Sequence, residues 1–217
     1  MKGKKAYFKF GPKNTELIAQ YKTMADGGYE TIFGETIETA FSDFELRRFK
    51  DTVLPIFQRH SANSVLDYGC GGSDWEMPGF SDDQTALAFF GLERAYRYEP
   101  ARKIDERNKA DIVSCFDVLE HVFITDVPAT LIDIFSYAKK AVILNIACYK
   151  ARATLPCGEN AHITVRPPLW WKGCVDTIAM LYPAVEVNLY CSPEYLKAET
   201  FDPLKMESLI EAPGFER

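Results

Sequence analysis

A chain of 217 residues, 47% hydrophobic and 26% charged, has the composition of an ordinary globular domain and is long enough for one sizeable core but short for two. Its net charge of −6 weighs mildly against an extended phosphate-binding surface, which normally draws on clustered Lys and Arg, though nucleic acid is not excluded by it. Six cysteines with no C-x-x-C pair give neither a disulfide framework nor a metal site, and they fit reduced thiols in a cytoplasmic protein. The N-terminal stretch lacks the apolar core of a signal peptide, and no apolar run is long enough to span a bilayer.

From Asn14 to Met24, Leu17, Ile18, Tyr21 and Met24 recur at helical spacing until Gly27-Gly28 ends the pattern. A second helix is expected to open at Ser42, with Glu45 completing a capping box, Phe49, Val53 and Phe57 on one face, and Pro55 kinking or ending it. Residues 1–60 thus read as a helical extension ahead of an α/β core at 61–191 and a tail at 192–217, all within a single domain.

Ser64-Val65-Leu66-Asp67 is a short apolar run ending in a carboxylate, as in a buried parallel strand. Gly69, Gly71 and Gly72 follow directly, where glycine lets the chain turn sharply and a ligand approach the main chain. Ser81 and Gln84 predict a capped helix from Asp82 to Phe90, ending at Gly91. Tyr96 to Glu99 is an alternating strand that also ends in a carboxylate, about thirty residues beyond Asp67, against roughly twenty in dinucleotide-type folds. The charged segment 101–109 leaves the usual third strand weak or missing. Asp111 to Phe116 is a clear buried strand, followed by Asp117-Val118-Leu119-Glu120-His121. A helix over Val127–Lys140, a strand over Ala141–Ile146, a helix opened by Pro167-Pro168 and a strand over Val185–Tyr190 complete the series. The tail, broken by Pro193, Pro203 and Pro213, shows no strong period. Strand and helix alternate as in a three-layer, Rossmann-like α/β fold with a mostly parallel sheet.

Asp67-Tyr68-Gly69-Cys70-Gly71-Gly72-Ser73 resembles the first motif of the class I S-adenosylmethionine-dependent methyltransferases, with Ser73 in place of the third glycine. Asp111 to Val122 is similar to the D-V-L-E-H segment at the fourth strand of small members of that superfamily. Gly158 to His162 with Pro167 to Trp171 is similar to stretches in uncharacterised methyltransferase-like proteins of bacteria and their viruses. The resemblance implies a methyltransferase fold that binds S-adenosylmethionine and releases S-adenosylhomocysteine. It implies a cofactor pocket made by Asp67, Gly69, Cys70, Gly71, Glu99, Cys115, Phe116 and Asp117, with Tyr21 and the N-terminal helices closing over the methionine end. Cys115 and Phe116 would lie near the adenine and Asp117 near the amino-acid end, while His121 would face the substrate.

A histidine there suits general-base work near neutral pH; Glu120 and His121 fit equally as groups that tie down the loop. His162, on a polar loop over the strand ends, is a second candidate contact to substrate or, as readily, a tie to the sheet. Trp170 and Trp171 read as core. Pro156-Cys157 comes too late in the chain to supply a cytosine-C5 nucleophile. The expected acceptor is a small molecule; an RNA methyltransferase or a cofactor-binding protein without turnover are the alternatives. The first of these predicts a basic rim around the pocket.

Overall fold

The computed structural model describes residues 11–38, 41–201 and 210–211. In chain order it forms α1 (Pro12–Gly27), β1 (Tyr29–Thr31), β2 (Thr36–Ile37), α2 (Phe44–Arg59), β3 (Ser64–Tyr68), α3 (Ala86–Phe90), β4 (Arg94–Glu99), β5 (Ile104–Asp105) and β6 (Ala110–Phe116). These are followed by α4 (Val127–Tyr137), β7 (Ala138–Ala147), β8 (Ala153–Thr154), α5 (Pro168–Ala179), β9 (Glu186–Glu194), β10 (Lys197–Phe201) and β11 (Ile210–Glu211). None of the helices is long and apolar enough to cross a membrane among the described residues.

The main sheet has the order β11-β10-β9-β7-β6-β3-β4-β5. Its centre, β9 through β4, is parallel, and the short edge strands are antiparallel. The chain crosses over at β3, where the order reverses, and in such sheets ligands bind outside the carboxyl ends of the strands at that switch point.

Side-chain alternation along the strands divides the core between two helical layers. Val65, Ile112, Phe116 and Ile143 face α2 and α3; Leu66, Val113, Cys115, Val142 and Leu144 face α4 and α5. Phe49 anchors the first layer: it is fully buried, with its ring 6.1 Å from Phe116 and 5.6 Å from Tyr190. Phe49→Ala is expected to cost about 3–5 kcal/mol, as for other large aromatic deletions in close-packed cores, read from the shift in urea midpoint. Trp171, as expected, is core, fully buried on α5.

Several boundaries differ from the sequence reading. The α2 helix starts at Phe44 with no side-chain cap, so the Ser42–Glu45 box is not made, and it runs through Pro55 to Arg59. Val53, Ile56 and Phe57, buried on either side of the proline, hold that last turn despite the lost hydrogen bond. Ser81 and Gln84 form a bridge rather than a cap, and α3 begins only at Ala86, capped by Thr85. Lys139 and Lys140 belong to β7 rather than to the preceding helix, because pairing with β6 already begins at Ala138. The third strand is reduced to β5, two residues long. The tail, which shows no strong period, adds β10 and β11 to the sheet: Pro193 sits inside β9 and does not end it. The N-terminal region is not purely helical, since β1 pairs with both β2 and β8 in a separate antiparallel sheet of order β2-β1-β8.

Candidate functional site

A cavity of ≈ 520 Å³ opens over the carboxyl ends of β3, β4 and β6 and is closed on the far side by α1 and the small sheet. Volumes of this size hold small-molecule ligands or cofactors. Asp67, Gly69, Cys70, Gly71, Glu99, Phe116, Asp117, His121, His162 and Tyr21 all line it. Cys115 does not. One residue before Phe116 on β6, its side chain points to the opposite face and is buried among the α4 and α5 residues, so it is removed from the pocket by the period of the strand.

The glycine loop is shaped by the chain's own packing. Gly69 and Gly71 have φ values of +83° and +55°, and a Cβ would come within 2.3 Å of Val118 Cγ2 at the first and 2.8 Å of the Phe41 carbonyl oxygen at the second. Phe41 lies over the loop and accepts a hydrogen bond from Gly72 N–H at 2.9 Å. Beneath the loop, the Tyr98 carbonyl accepts from both Gly69 and Cys70 N–H.

Two carboxylates fix this loop from inside. Asp67 Oδ2 accepts from Ser73 Oγ and from the Trp75 indole N–H, each at 2.9 Å. Ser73, the departure from the third glycine, therefore has its own work. Glu99 bridges two main-chain donors: Oε2 accepts from Gly71 N–H at 3.2 Å and Oε1 from Ala101 N–H at 2.9 Å. Burial raises the Glu99 pKa, and these two bonds oppose the rise.

Burial pushes Asp67 up to about 6, against the pull of its bonds to Trp75 and Ser73. A carboxyl whose folded pKa is raised favours the fold most when protonated in both states. That advantage is full below 3.8, the unfolded value, and is lost as pH rises to about 6. The contribution is about 3 kcal/mol at 1.36 kcal/mol per unit. The stability difference between wild type and Asp67→Asn, from urea unfolding, is thus expected to favour wild type more at pH 4 than at pH 7.5. A difference independent of pH would contradict this.

The acceptor side of the cavity carries two histidines. Tyr21 OH donates to the Ala161 carbonyl at 2.8 Å and lies 2.7 Å from His121 Nδ1, which is itself 3.1 Å from that carbonyl. A carbonyl only accepts, so the network places the His121 proton on Nδ1 and the lone pair on Nε2. His162 Nδ1 likewise donates to the Tyr149 carbonyl at 2.5 Å, which leaves its Nε2 3.7 Å from Asp117 Oδ1. The two imidazole rings meet edge to face, 4.7 Å between centroids. Burial, and then the neighbouring His162, push His121 down to about 4, so it is neutral at pH 7. Both histidines also tie down their loops.

Glu120 is fully buried. It accepts through Oε1 from Ala147 N–H, and burial together with the Asp117 charge holds it well above the usual carboxylate range.

The sequence marks Glu45 only as a helix cap and Asp43 not at all, yet both line the cavity from the start of α2, beside Phe41 and Tyr149. Burial, then Asp117, raises Glu45 to about 7 against the pull of Arg48. No ligand-binding motif marks these residues; the start of α2, far along the chain from the glycines, brings them in. Asp43, Glu45, Asp67, Glu99 and Asp117 make the wall acidic, and Arg152 is the one Lys or Arg among the described lining residues.

No family model, curated protein or solved structure matches the chain.

Proposed function

We propose that the cavity binds S-adenosylmethionine and that the protein transfers its methyl group to a small-molecule acceptor. The observation that carries this is an acidic wall around a glycine loop with Glu99 at the end of β4. A ligand with a sulfonium and an ammonium group gains from the carboxylates of the wall, of which Asp43 and Glu45 are paired with Arg47 and Arg48, and a carboxylate at Glu99 accepts from ribose hydroxyls more strongly than a neutral group would. Phe116, Phe41 and Tyr29 line the same space and offer apolar surface to an adenine.

A dinucleotide is the competing ligand, because the run β5-β4-β3-β6-β7-β9 follows the 3-2-1-4-5-6 order of dinucleotide-binding sheets. Its pyrophosphate would need a helix N-terminus at the glycine loop. Here residues 72–85 are without helix, and α3 begins fourteen residues after Gly72 at Ala86. Two phosphate charges would also face the acidic wall. A methylated cofactor carries neither requirement.

The bound cofactor would supply an electrophilic methyl group. The protein would hold it through Glu99, the loop and Asp117, keep water out with α1, and present His121 and His162 towards the acceptor. The acidic rim disfavours an RNA acceptor. The test is incubation with cofactor labelled in the methyl group and separate pools of small metabolites and RNA. Label in the small-molecule pool is expected. Label confined to RNA would favour the RNA enzyme; cofactor binding without transfer to either pool would favour a binding protein without turnover.

A further inference from the structure

We propose that Asp117, His121 and His162 form a binding site for a divalent transition-metal cation on the cavity wall, with positions left open for an oxygen atom of a small-molecule substrate. The ligand atoms of these three residues lie within 4.8 Å of one another, and all three residues line the cavity. Donors bound to one ion at about 2.0–2.2 Å stand roughly 3–4 Å apart, and the 3.7 Å between His162 Nε2 and Asp117 Oδ1 already has that spacing.

Each imidazole is set up as a ligand by its other nitrogen. His121 Nδ1 and His162 Nδ1 both point at main-chain carbonyls, the outer-shell contact that fixes the tautomer and orientation of metal-bound histidines. Both Nε2 lone pairs are thereby left available. Asp117 is the exposed member, its side chain 44% accessible, so the site faces the cavity instead of closing on itself.

Glu120 supplies an independent reason for a cation. It is fully buried, and its Oε2 meets no donor among the described residues, so a positive charge beside it would stabilise it. Two imidazoles with a carboxylate favour zinc, iron, cobalt or manganese over calcium or magnesium. Three protein ligands leave room for a substrate oxygen, whose pKa such an ion lowers. In this arrangement the histidines serve as ligands and do not act as general bases. The site does not depend on the cofactor proposal.

The test is titration of Co²⁺ into the full chain after dialysis against EDTA, followed by visible absorption and by calorimetry, with Mn²⁺ and Zn²⁺ in parallel. One equivalent is expected to bind, at least about tenfold more weakly to Asp117→Asn, His121→Gln and His162→Gln. No binding by the wild type, or binding unchanged in all three variants, would overturn the site. Should a histidine variant fail to fold by far-UV circular dichroism, Asp117→Asn, altered at a side chain open to the cavity, decides the matter. S-adenosylhomocysteine titrated in EDTA keeps the two proposals apart. Metal binding without it leaves the metal site standing and removes the cofactor, and nucleoside binding with no metal binding does the reverse.

Discussion

Gly71→Ala is expected to lower stability by about 2–4 kcal/mol, and no nearby side-chain deletion is expected to restore it. A left-handed backbone at a residue with a Cβ costs about 1–2 kcal/mol. The new Cβ would also sit 2.8 Å from the Phe41 carbonyl oxygen, so the main chain of the overlying loop has to move. Moving it strains the hydrogen bond from Gly72 N–H to that same oxygen, worth about 1 kcal/mol. Gly69→Ala offers the contrast. There the obstacle is a side chain, Val118 Cγ2 at 2.3 Å, which Val118→Ala removes. The double variant Gly69→Ala/Val118→Ala should recover at least about 1 kcal/mol relative to the sum of the single changes, whereas the same partner substitution should leave Gly71→Ala unrescued. Urea unfolding of the five variant chains measures both. Equal rescue at both glycines would mean that Phe41 does not lie where it is placed over the loop.

Glu99→Gln is expected to weaken S-adenosylhomocysteine binding by about 10–100-fold, the effect of exchanging a charged acceptor for a neutral one at about 1.5–3 kcal/mol. The substitution keeps size and shape. It also leaves one acceptor oxygen where Gly71 N–H and Ala101 N–H now share two, so a stability loss of about 1 kcal/mol accompanies it. The two effects are separable, because the first appears in the titration at temperatures far below unfolding. An affinity unchanged in a folded Glu99→Gln chain would mean that Glu99 serves the loop alone.

Much of the sheet was legible because buried parallel strands announce themselves as apolar runs. The strands from Val65, Ile112 and Ala141 follow from local pattern, whereas the order in which they lie in the sheet does not. What escaped lies where local pattern is overruled. Pro55 should break α2, yet burial of Val53 and Phe57 on both sides holds the helix together. The strand β10 reads Lys-Ala-Glu-Thr-Phe, with small residues at its buried positions, too weak a pattern to register before β9 is known to lie beside it. The site divides in the same way. Asp67, Gly69, Gly71, Glu99 and Asp117 were visible because they sit at strand ends, where position along the chain implies position in space. Cys115 was misplaced by one residue of strand period. Phe41 and Tyr149 come from connections whose course no local spacing dictates, and Glu45 from the start of α2, which the Phe41 connection delivers to the cavity. Asp117, His121 and His162 each stand out as site candidates, but that their ligand atoms converge is hidden until the loop at 158–162 folds back over the end of β6.

The most direct test of the cavity is calorimetric titration of S-adenosylhomocysteine into the wild-type chain, with NAD as the parallel ligand. Binding of the methylated-cofactor product in the micromolar range, with no heat from NAD, is the result expected of an acidic pocket lacking a phosphate-binding helix. Binding of NAD without S-adenosylhomocysteine, or of neither, would contradict the proposed function.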